Sequence, residues 1–283
     1  MVAIDKPAGW TSHDVVAKCR RIYGQKRVGH SGTLDPGATG VLLVGLGNAT
    51  RLLRFLTELP KSYTCDIVLG TATSTLDGEG TVTERVTMSV TPQKVRAAAQ
   101  MFTGNIMQVP PMVSAVQVGG RRLYELAREG KVVDRLARPV TVYRYDIEPT
   151  NDPLVYRARV ECSSGTYVRV LVADVGGALG GVAHLRNLRR DAIGSFDADA
   201  ATPLAELEAM TDPRSRVLSL SAALRDYQST EVTSETAAAI RHGKQVSIEA
   251  GDDVVAVLHE GELIAVFERH DGTLRSAVVV APS

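Results

Sequence analysis

Residues 29–40 read GHSGTLDPGATG, and they are the most informative stretch of this 283-residue chain. The stretch holds four glycines and one proline, residue types that shape the backbone of a loop between ordered elements. It presents one imidazole, His30, and one carboxylate, Asp35. It matches neither the G-x-x-x-x-G-K-[ST] nor the G-x-G-x-x-G pattern of nucleotide-binding loops. Because an Asp before a Pro is more often a turn residue than a catalyst, the loop alone leaves the role of Asp35 open.

Hydrophobic periodicity around this loop predicts an α+β protein. Helices are predicted from Thr11-Ser12 to Gly24, from a cap at Asn48 through Leu56, from Thr91-Pro92 to Gly104, and from Thr166 to about Leu179. Strands are predicted over 63–69, 140–148 and 154–162. This order has no regular βαβ alternation, and it favours a largely antiparallel mixed sheet flanked by helices.

A domain boundary is predicted where Thr211-Asp212-Pro213 follows a helix over 204–210. We expect a first domain over residues 1–212 and a second over 222–283. The second has one predicted helix, from Thr233 to His242. Its short strand candidates lie near 246–248, 254–259, 262–268 and 274–280, with glycines between the later ones. One helix with several short strands is typical of a small β-barrel-like module.

The composition is that of a globular protein. The chain has 32 basic and 32 acidic side chains and 44% hydrophobic residues, which argues against a disordered or collagen-like protein. Its longest apolar runs are far shorter than the roughly 20 residues that cross a bilayer. No apolar signal core follows Met1, and three separated cysteines make neither a disulfide framework nor a zinc motif. We expect a soluble protein of the cytoplasm.

Charge is unevenly distributed along the chain. Residues 1–61 carry nine basic and four acidic side chains, and residues 111–145 carry seven and three. Residues 201–283 carry seven basic and thirteen acidic side chains. Two basic stretches in a neutral chain indicate either a polyanion-binding surface or scatter, and charge alone does not decide between them.

The GHSGTLDPGATG stretch resembles the catalytic motif of pseudouridine synthases of the bacterial tRNA pseudouridine-55 type, the TruB family. Further segments resemble motifs of that family in the same order, over about residues 3–195. They are Asp5-Lys6-Pro7-x-Gly9-x-Thr11-Ser12, Lys61-Ser62-Tyr63, Gln108-Val109-Pro110-Pro111-x-x-Ser114-Ala115, Gly119-x-x-x-Tyr124-x-x-Ala127-Arg128-x-Gly130, Cys162-Ser163-Ser164-Gly165-Thr166-Tyr167-Val168-Arg169 and His184-x-x-x-Leu188-Arg189-Arg190. The resemblance implies the pseudouridine synthase fold, a C-terminal RNA-binding PUA module, and isomerisation of a uridine in the T-loop of tRNA to pseudouridine.

The same resemblance assigns catalytic roles to Asp35, Tyr63 and Arg169. Asp35 would break the glycosidic bond by attacking C1′ or by acting on the sugar, and the residues do not choose between the routes. Arg169 would hold the Asp35 carboxylate ionised and oriented. Tyr63 would stack on the uracil and take part in proton transfer at C5. Without the resemblance, a core position is favoured for Tyr63 and a solvent-facing position for Arg169.

The resemblance also implies how RNA would be bound. His30 would stack in the gap that the flipped base leaves, and Leu188 would form an apolar wall of the base pocket. Arg121, Arg122 and Lys131 lie in the thumb segment, about residues 108–139, where they would contact phosphates of the tRNA T-arm. No cofactor, metal, membrane or obligate protein partner is implied, and a monomer is expected.

Two other functions stay open. An RNA-binding protein that has lost catalysis is disfavoured by the joint presence of Asp35, Tyr63 and Arg169. A glycoside or nucleoside hydrolase would usually need a second carboxylate, and no motif nominates one. The acidic character of residues 201–283 is also unfavourable for a general phosphate-binding role of the predicted PUA module.

Overall fold

A computed structural model describes residues 1–114 and 116–280, and only the backbone of Arg128. Ala115 and the side chain of Arg128, both in motifs quoted above, lie outside what is described, as do residues 281–283. The chain forms two compact units. Of the described residues, the first unit contains those within 1–36 and 41–59 and those from Gly194 to Val280, and the second contains those within 37–40 and 60–193.

The described residues form strands and helices of very different lengths. The strands are β1 (Val2–Lys6), β2 (Val28–His30), β3 (Thr39–Leu46), β4 (Lys61–Leu69), β5 (Thr71–Thr73), β6 (Val82–Arg85), β7 (Gly104–Gln108), β8 (Gln117–Val118), β9 (Arg121–Arg122), β10 (Arg138–Pro149), β11 (Val155–Cys162), β12 (Ala183–Ile193), β13 (Phe196–Asp197), β14 (Thr202–Pro203), β15 (Gln228–Glu231), β16 (Val254–His259), β17 (Glu262–His270) and β18 (Thr273–Val279). The helices are α1 (Ser12–Ile22), α2 (Leu53–Glu58), α3 (Pro92–Gln100), α4 (Leu123–Arg128), α5 (Val168–Ala178), α6 (Leu204–Ala209), α7 (Leu220–Ala223) and α8 (Ser234–Arg241), with 3₁₀ helices over Gly47–Leu52 and Pro213–Arg216.

In the first unit, helix α1 packs against strands near the start of the chain and against helix α6. Its start is fixed by a capping box, in which Thr11 and Asp14 satisfy each other's backbone N–H groups. Its apolar face, which includes Val15 and Cys19, joins residues of β1, β3 and α6 in one buried cluster. Strand β1 is parallel to β14, and β2 is antiparallel to β3. The GHSGTLDPGATG loop therefore connects two strands that are held next to a helix.

In the second unit, the sheet order is β12-β4-β11-β10-β7, and every neighbouring pair is antiparallel. Thr39 and Gly40 add a short parallel pairing to β12. Helices α3 and α5 bury their apolar faces, among them Val95 and Leu171, on one face of this sheet, against Ile67. The predicted α+β fold class, a largely antiparallel mixed sheet flanked by helices, is confirmed.

The C-terminal region forms a four-stranded sheet in the order β15-β16-β17-β18, covered by α8. The strand predicted near 246–248 is wrong, because Val246 and Ile248 pack against the core of this sheet from an irregular segment. Its fourth strand is instead β15, which pairs in parallel with β16. The predicted boundary between 212 and 222 falls inside the first compact unit, and the division into domains 1–212 and 222–283 stays a prediction.

The predicted helix cap at Asn48 is also wrong. The helical segment begins one residue earlier, at Gly47, whose φ of 56° is in the left-handed region. It opens as a 3₁₀ helix without a side-chain cap and continues into α2. The short helix itself, through Leu52, Leu53 and Leu56, is present as predicted.

Three buried thiols lie in different elements, Cys19 on α1, Cys65 on β4 and Cys162 at the end of β11. Burial raises the pKa of Cys19 and of Cys162 to about 11 and that of Cys65 to about 12. No helix within residues 1–114 and 116–280 is long and apolar enough to cross a membrane. In the same residues, no group of three or more His, Cys, Asp or Glu side chains is arranged to hold a metal ion.

Candidate active site

The backbone on either side of Asp35 is fixed by two buried polar side chains from the N-terminal segment. The hydroxyl of Ser12 accepts a hydrogen bond from the Leu34 N–H (2.9 Å) and donates one to the Leu34 carbonyl (3.2 Å). The ammonium of Lys6, fully buried, donates to the carbonyls of Pro36 (3.1 Å), Pro7 (2.9 Å) and Trp10 (2.7 Å). Both neighbours of Asp35 in the chain are thus anchored, while Asp35 itself is half-buried.

This arrangement explains the opening motif of the sequence. Lys6 and Ser12 both belong to this motif, and each binds the backbone of the Asp35 loop. The backbone N–H of Gly9 also donates to the Pro36 carbonyl at 2.9 Å. Buried polar groups need such partners, and these bonds satisfy Lys6 and Ser12 while they fix the loop.

The last glycine of the loop, Gly40, is required for a steric reason. Gly40 has a φ of 104°, and a Cβ there would lie 2.1 Å from the carbonyl oxygen of Arg190 on β12. No side chain fits between these two strands, which are paired at this residue. Glycine is therefore required where β3 begins.

His30, the residue predicted to stack, ends strand β2 and is half-buried. Its ring meets the ring of His13 edge to face, with the centroids 5.4 Å apart and the planes at 80°. His13 is exposed on the first turn of α1. The two imidazoles thus lie beside each other at one end of the loop that carries Asp35.

Tyr63 and Leu188 come to the same region of the second unit. Tyr63 lies on β4, opposite Val160 of β11 and Arg190 of β12, and it is half-buried. Leu188 lies on β12 next to a β-bulge, at which Asn187 has a φ of 55°. Both side chains pack against the hydrophobic cluster under α3 and α5. An aromatic and an aliphatic side chain therefore border the same apolar cluster.

Arg169 is buried rather than solvent-facing, with 5% of its surface exposed. It is the second residue of α5, and its Nη2 donates to the Val113 carbonyl at 2.7 Å. Its Nη1 lies 3.5 Å from the Thr75 carbonyl and 3.9 Å from Oδ2 of Asp77. A buried guanidinium with charged and carbonyl partners has its direction fixed, which suits a residue that must orient an anion.

Asp77, whose carboxylate lies near the Arg169 guanidinium, is a residue that the sequence reasoning missed. Its other carboxylate oxygen accepts hydrogen bonds from Thr75 Oγ1 (2.5 Å) and the Glu79 N–H (3.1 Å), which is typical of an Asx turn. Leu76 before it has a φ of 65°. The only sequence signal was an Asp in a polar, glycine-rich turn, which ordinarily indicates a loop and nothing more.

The basic residues of the thumb segment are partly paired with acidic neighbours. Arg121 and Lys131 both bind the carboxylate of Glu129, the latter at 2.8 Å, and these cations lower the pKa of Glu129 to about 2. Arg122 lies over the ring of Tyr124, 6.0 Å from its centroid. Arg121, Lys131 and Glu129 remain exposed, so the cluster lies at the surface where a polyanion could reach it.

Comparisons with known proteins find similarity over the length of the chain. A family model described as the N-terminal domain of the TruB family pseudouridylate synthases matches residues 20–168, a little over half of the sequence. Curated relatives named tRNA pseudouridine synthase B, from Mycobacterium bovis (strain BCG / Pasteur 1173P2) and Mycobacterium tuberculosis (strain ATCC 25618 / H37Rv), are each 42% identical over 291 residues. These alignments cover 100% of this chain and 96% of each relative.

Similarity to solved structures extends over the same length. A chain in the crystal structure of a Cbf5-Nop10-Gar1 complex superposes with a TM-score of 0.76 at 27% identity. The match covers 99% of this chain and 83% of that chain. With a family model over half of the sequence and relatives at 42% identity over all of it, the chain belongs to the TruB family of pseudouridylate synthases and is an isomerase.

Proposed function

We propose that this protein isomerises a specific uridine in the T-loop of tRNA to pseudouridine, with Asp35 as the group that acts on the sugar. One observation supports this most directly. In a chain of the TruB family, Asp35 is a half-buried carboxylate on a loop whose flanking residues are both anchored by buried side chains. Such anchoring holds a reacting group within reach of one bond, which is what positional catalysis requires.

The reaction needs no external reagent. The N1–C1′ bond breaks, the uracil turns, the C5–C1′ bond forms, and the proton that leaves C5 is balanced by one gained at N1. Asp35 either attacks C1′ or acts elsewhere on the sugar to release the base, and both routes use its ionised carboxylate. A pocket that excludes water would retain the uracil until the new bond forms.

The other site residues support the same reaction in our proposal. Tyr63 stacks on the uracil and assists proton transfer at C5, while Leu188 packs on the base as an apolar wall. Arg169, with its guanidinium held by Val113 and Asp77, orients the carboxylate of Asp35. His30 takes the place of the flipped base by stacking.

We infer tRNA as the substrate from relatives that are named tRNA pseudouridine synthase B. The T-arm stem-loop is inferred from the sequence resemblance, and the basic thumb residues Arg121, Arg122 and Lys131 are the proposed phosphate contacts. A solved chain similar to this one belongs to a Cbf5-Nop10-Gar1 complex. For this chain we propose a monomer in the cytoplasm that needs no protein partner.

We further infer that residues 222–283 are a PUA-like RNA-binding module attached to a catalytic domain over 1–212. Arg269 in this region is used internally, because it binds Asp253 and the carbonyls of Ala250 and Asp252. Arg225 is also used internally, since it donates to Ser195. RNA contacts by the module would therefore depend on the other exposed cations, Arg241, Lys244 and Arg275. Three cations among many acids predict a contribution to tRNA placement rather than to general affinity.

The proposal is tested with the full chain and a T-arm hairpin, beside an anticodon-arm hairpin of equal length. We expect a product of unchanged mass in which one position, in the T-arm hairpin only, carries a carbodiimide adduct that survives mild alkali. Release of free uracil would indicate a hydrolase instead. Binding without any change of base would indicate an RNA-binding protein, and equal conversion of both hairpins would contradict T-loop specificity.

A further inference from the structure

Gln108 is a buried carboxamide in the second unit that the proposed chemistry does not use. It is the last residue of β7, at the start of the thumb segment, and only 4% of its surface is exposed. Most glutamines are exposed, and a buried one must have its polar atoms satisfied. Its partners therefore indicate why this residue type is present.

Both ends of the Gln108 carboxamide bind the backbone of a single residue, Tyr167. Oε1 of Gln108 accepts a hydrogen bond from the Tyr167 N–H at 2.8 Å. Nε2 of Gln108 donates to the Tyr167 carbonyl at 3.2 Å. A donor and an acceptor on one planar group thus fix Tyr167 at two points, as a neighbouring strand would. Two bonds to one residue define its orientation as well as its position.

Tyr167 is the residue from which helix α5 begins. It is the N-cap, and its carbonyl also accepts hydrogen bonds from the N–H groups of Val170 (3.1 Å) and Leu171 (3.2 Å). The helix has no side-chain cap of its own, so the Gln108 contact takes over part of that task from another element. The position of the first turn of α5 therefore depends on Gln108.

Arg169 lies in that first turn, two residues after Tyr167. Its guanidinium is close to the carbonyls of Thr75 and Val113, and these distances are set by where the helix starts. A small shift of the turn would move the guanidinium away from these partners and change its direction. Displacements of about 1 Å from a residue away from the chemistry can cost about 100-fold in rate.

We propose that Gln108 is a positioning residue for the isomerisation, which fixes the Tyr167 backbone and thereby the start of the helix that presents Arg169. This inference rests on the proposed function, in which Arg169 orients Asp35. Gln108 acts through Arg169 and contacts no reacting atom. Its effect belongs to the rate of the chemical step and not to the affinity for RNA, because phosphate contacts dominate that affinity.

The test uses the full chain, saturating T-arm hairpin and single-turnover kinetics. Gln108→Met keeps the length of the side chain and removes both hydrogen bonds. We expect the rate at saturation to fall by about 10- to 100-fold, with the Kd for the hairpin changed by less than about twofold. Gln108→Asn shortens the side chain and keeps its polarity, and it should also lower the rate without changing the Kd. It replaces Gln108→Met in the test if the Met variant is poorly folded.

A matched control is Gln100→Met. Gln100 on α3 also donates from its carboxamide to a strand backbone, to the Tyr145 carbonyl at 3.3 Å, but it makes no contact with Tyr167. The rate of this variant should stay within about twofold of the parent. Melting curves of all variants identify the assay temperature at which each is folded, which separates loss of structure from loss of rate.

A double-mutant cycle with Arg169→Lys tests whether Gln108 acts through the guanidinium. If it does, the double variant loses less than the product of the two single losses, because both changes affect one interaction. If the loss in the double variant equals the product of the two single losses, or if folded Gln108→Met has the parent rate, the inference for Gln108 is overturned. The proposed role of Arg169 is not affected by either result. Full activity of Arg169→Lys would overturn the proposed role of Arg169 and this inference with it.

Discussion

The loop that carries Asp35 and the thumb segment are held in place by different kinds of interaction. In the Asp35 loop, the flanking residues Leu34 and Pro36 bind buried polar side chains of Ser12 and Lys6. In the thumb segment, the cluster of Arg121, Lys131 and Glu129 makes its polar contacts at the exposed surface. The segment also exposes 80% of Val132 and 87% of Leu136.

This difference follows from what each region has to do in the proposed function. A reacting carboxylate needs one fixed position, and buried hydrogen bonds provide it because leaving them unmade is costly. A surface that meets a polyanion gains more from exposed charges, which are weakly bound to each other and can be exchanged for phosphates. Changes in the Asp35 loop should therefore affect rate, and changes of the exposed cations of the thumb segment should affect affinity.

The largest effect is expected for Asp35→Asn. Removal of the only group proposed to act on the sugar should lower the single-turnover rate by at least about 1,000-fold. The Kd for the T-arm hairpin should change little, since affinity depends mostly on phosphate contacts. A rate within about tenfold of the parent, measured from tritium release at C5, would contradict the role of Asp35.

A smaller loss is expected for Ser12→Ala. The change leaves two backbone groups of Leu34 without their partner, and it should lower the free energy of unfolding by about 1–3 kcal/mol. The loop also loses one anchor, so the rate should fall by about tenfold while the Kd stays constant. Ser219→Ala is the control, because it removes only an exposed helix cap in the same unit. Equal rates for the two variants would show that the anchor does not matter for catalysis.

The smallest effect on rate is expected for the exposed cations of the thumb segment. Arg121→Gln combined with Lys131→Gln should leave the rate at saturation unchanged and reduce the slope of log affinity against log salt by about 1.5 to 2. Glu129→Gln is the matched control, since Glu129 binds both cations and its low pKa keeps it charged at assay pH. This control should strengthen binding. An unchanged slope in the double variant would show that the cluster is only a solvated surface.

The elements predicted correctly from sequence are those with a complete hydrophobic pattern of their own. Helix α3, with Val95, Ala98 and Ala99 buried, lies within its predicted bounds. Strand β12 was not predicted, because the bulge at Asn187 shifts the register and interrupts the alternation of buried side chains. Strand β15 was not predicted either, because its sequence, QSTE, has no apolar pattern. It is held by backbone pairing to β16.

For the candidate site, only residues that lie in a distinctive motif could be predicted from the sequence, and their roles stay predictions. Asp35, Tyr63 and Arg169 were found through the resemblance, not through any local physical signal. Asp77 was missed, since its contact with Arg169 depends on how distant segments of the second unit pack. The anchoring task of Lys6 was missed for the same reason, because nothing in a lysine next to a proline indicates that its ammonium is buried.

The three cysteines give this protein an internal probe of its own opening. Only a thiolate reacts rapidly with an alkylating reagent. These thiols are buried, and burial raises the pKa of each far above neutral pH. Alkylation at neutral pH therefore has to wait for local or global opening. Cys19 belongs to the first unit, and Cys65 and Cys162 belong to the second. The order in which iodoacetamide adds to them would record which unit opens first, without any engineered label.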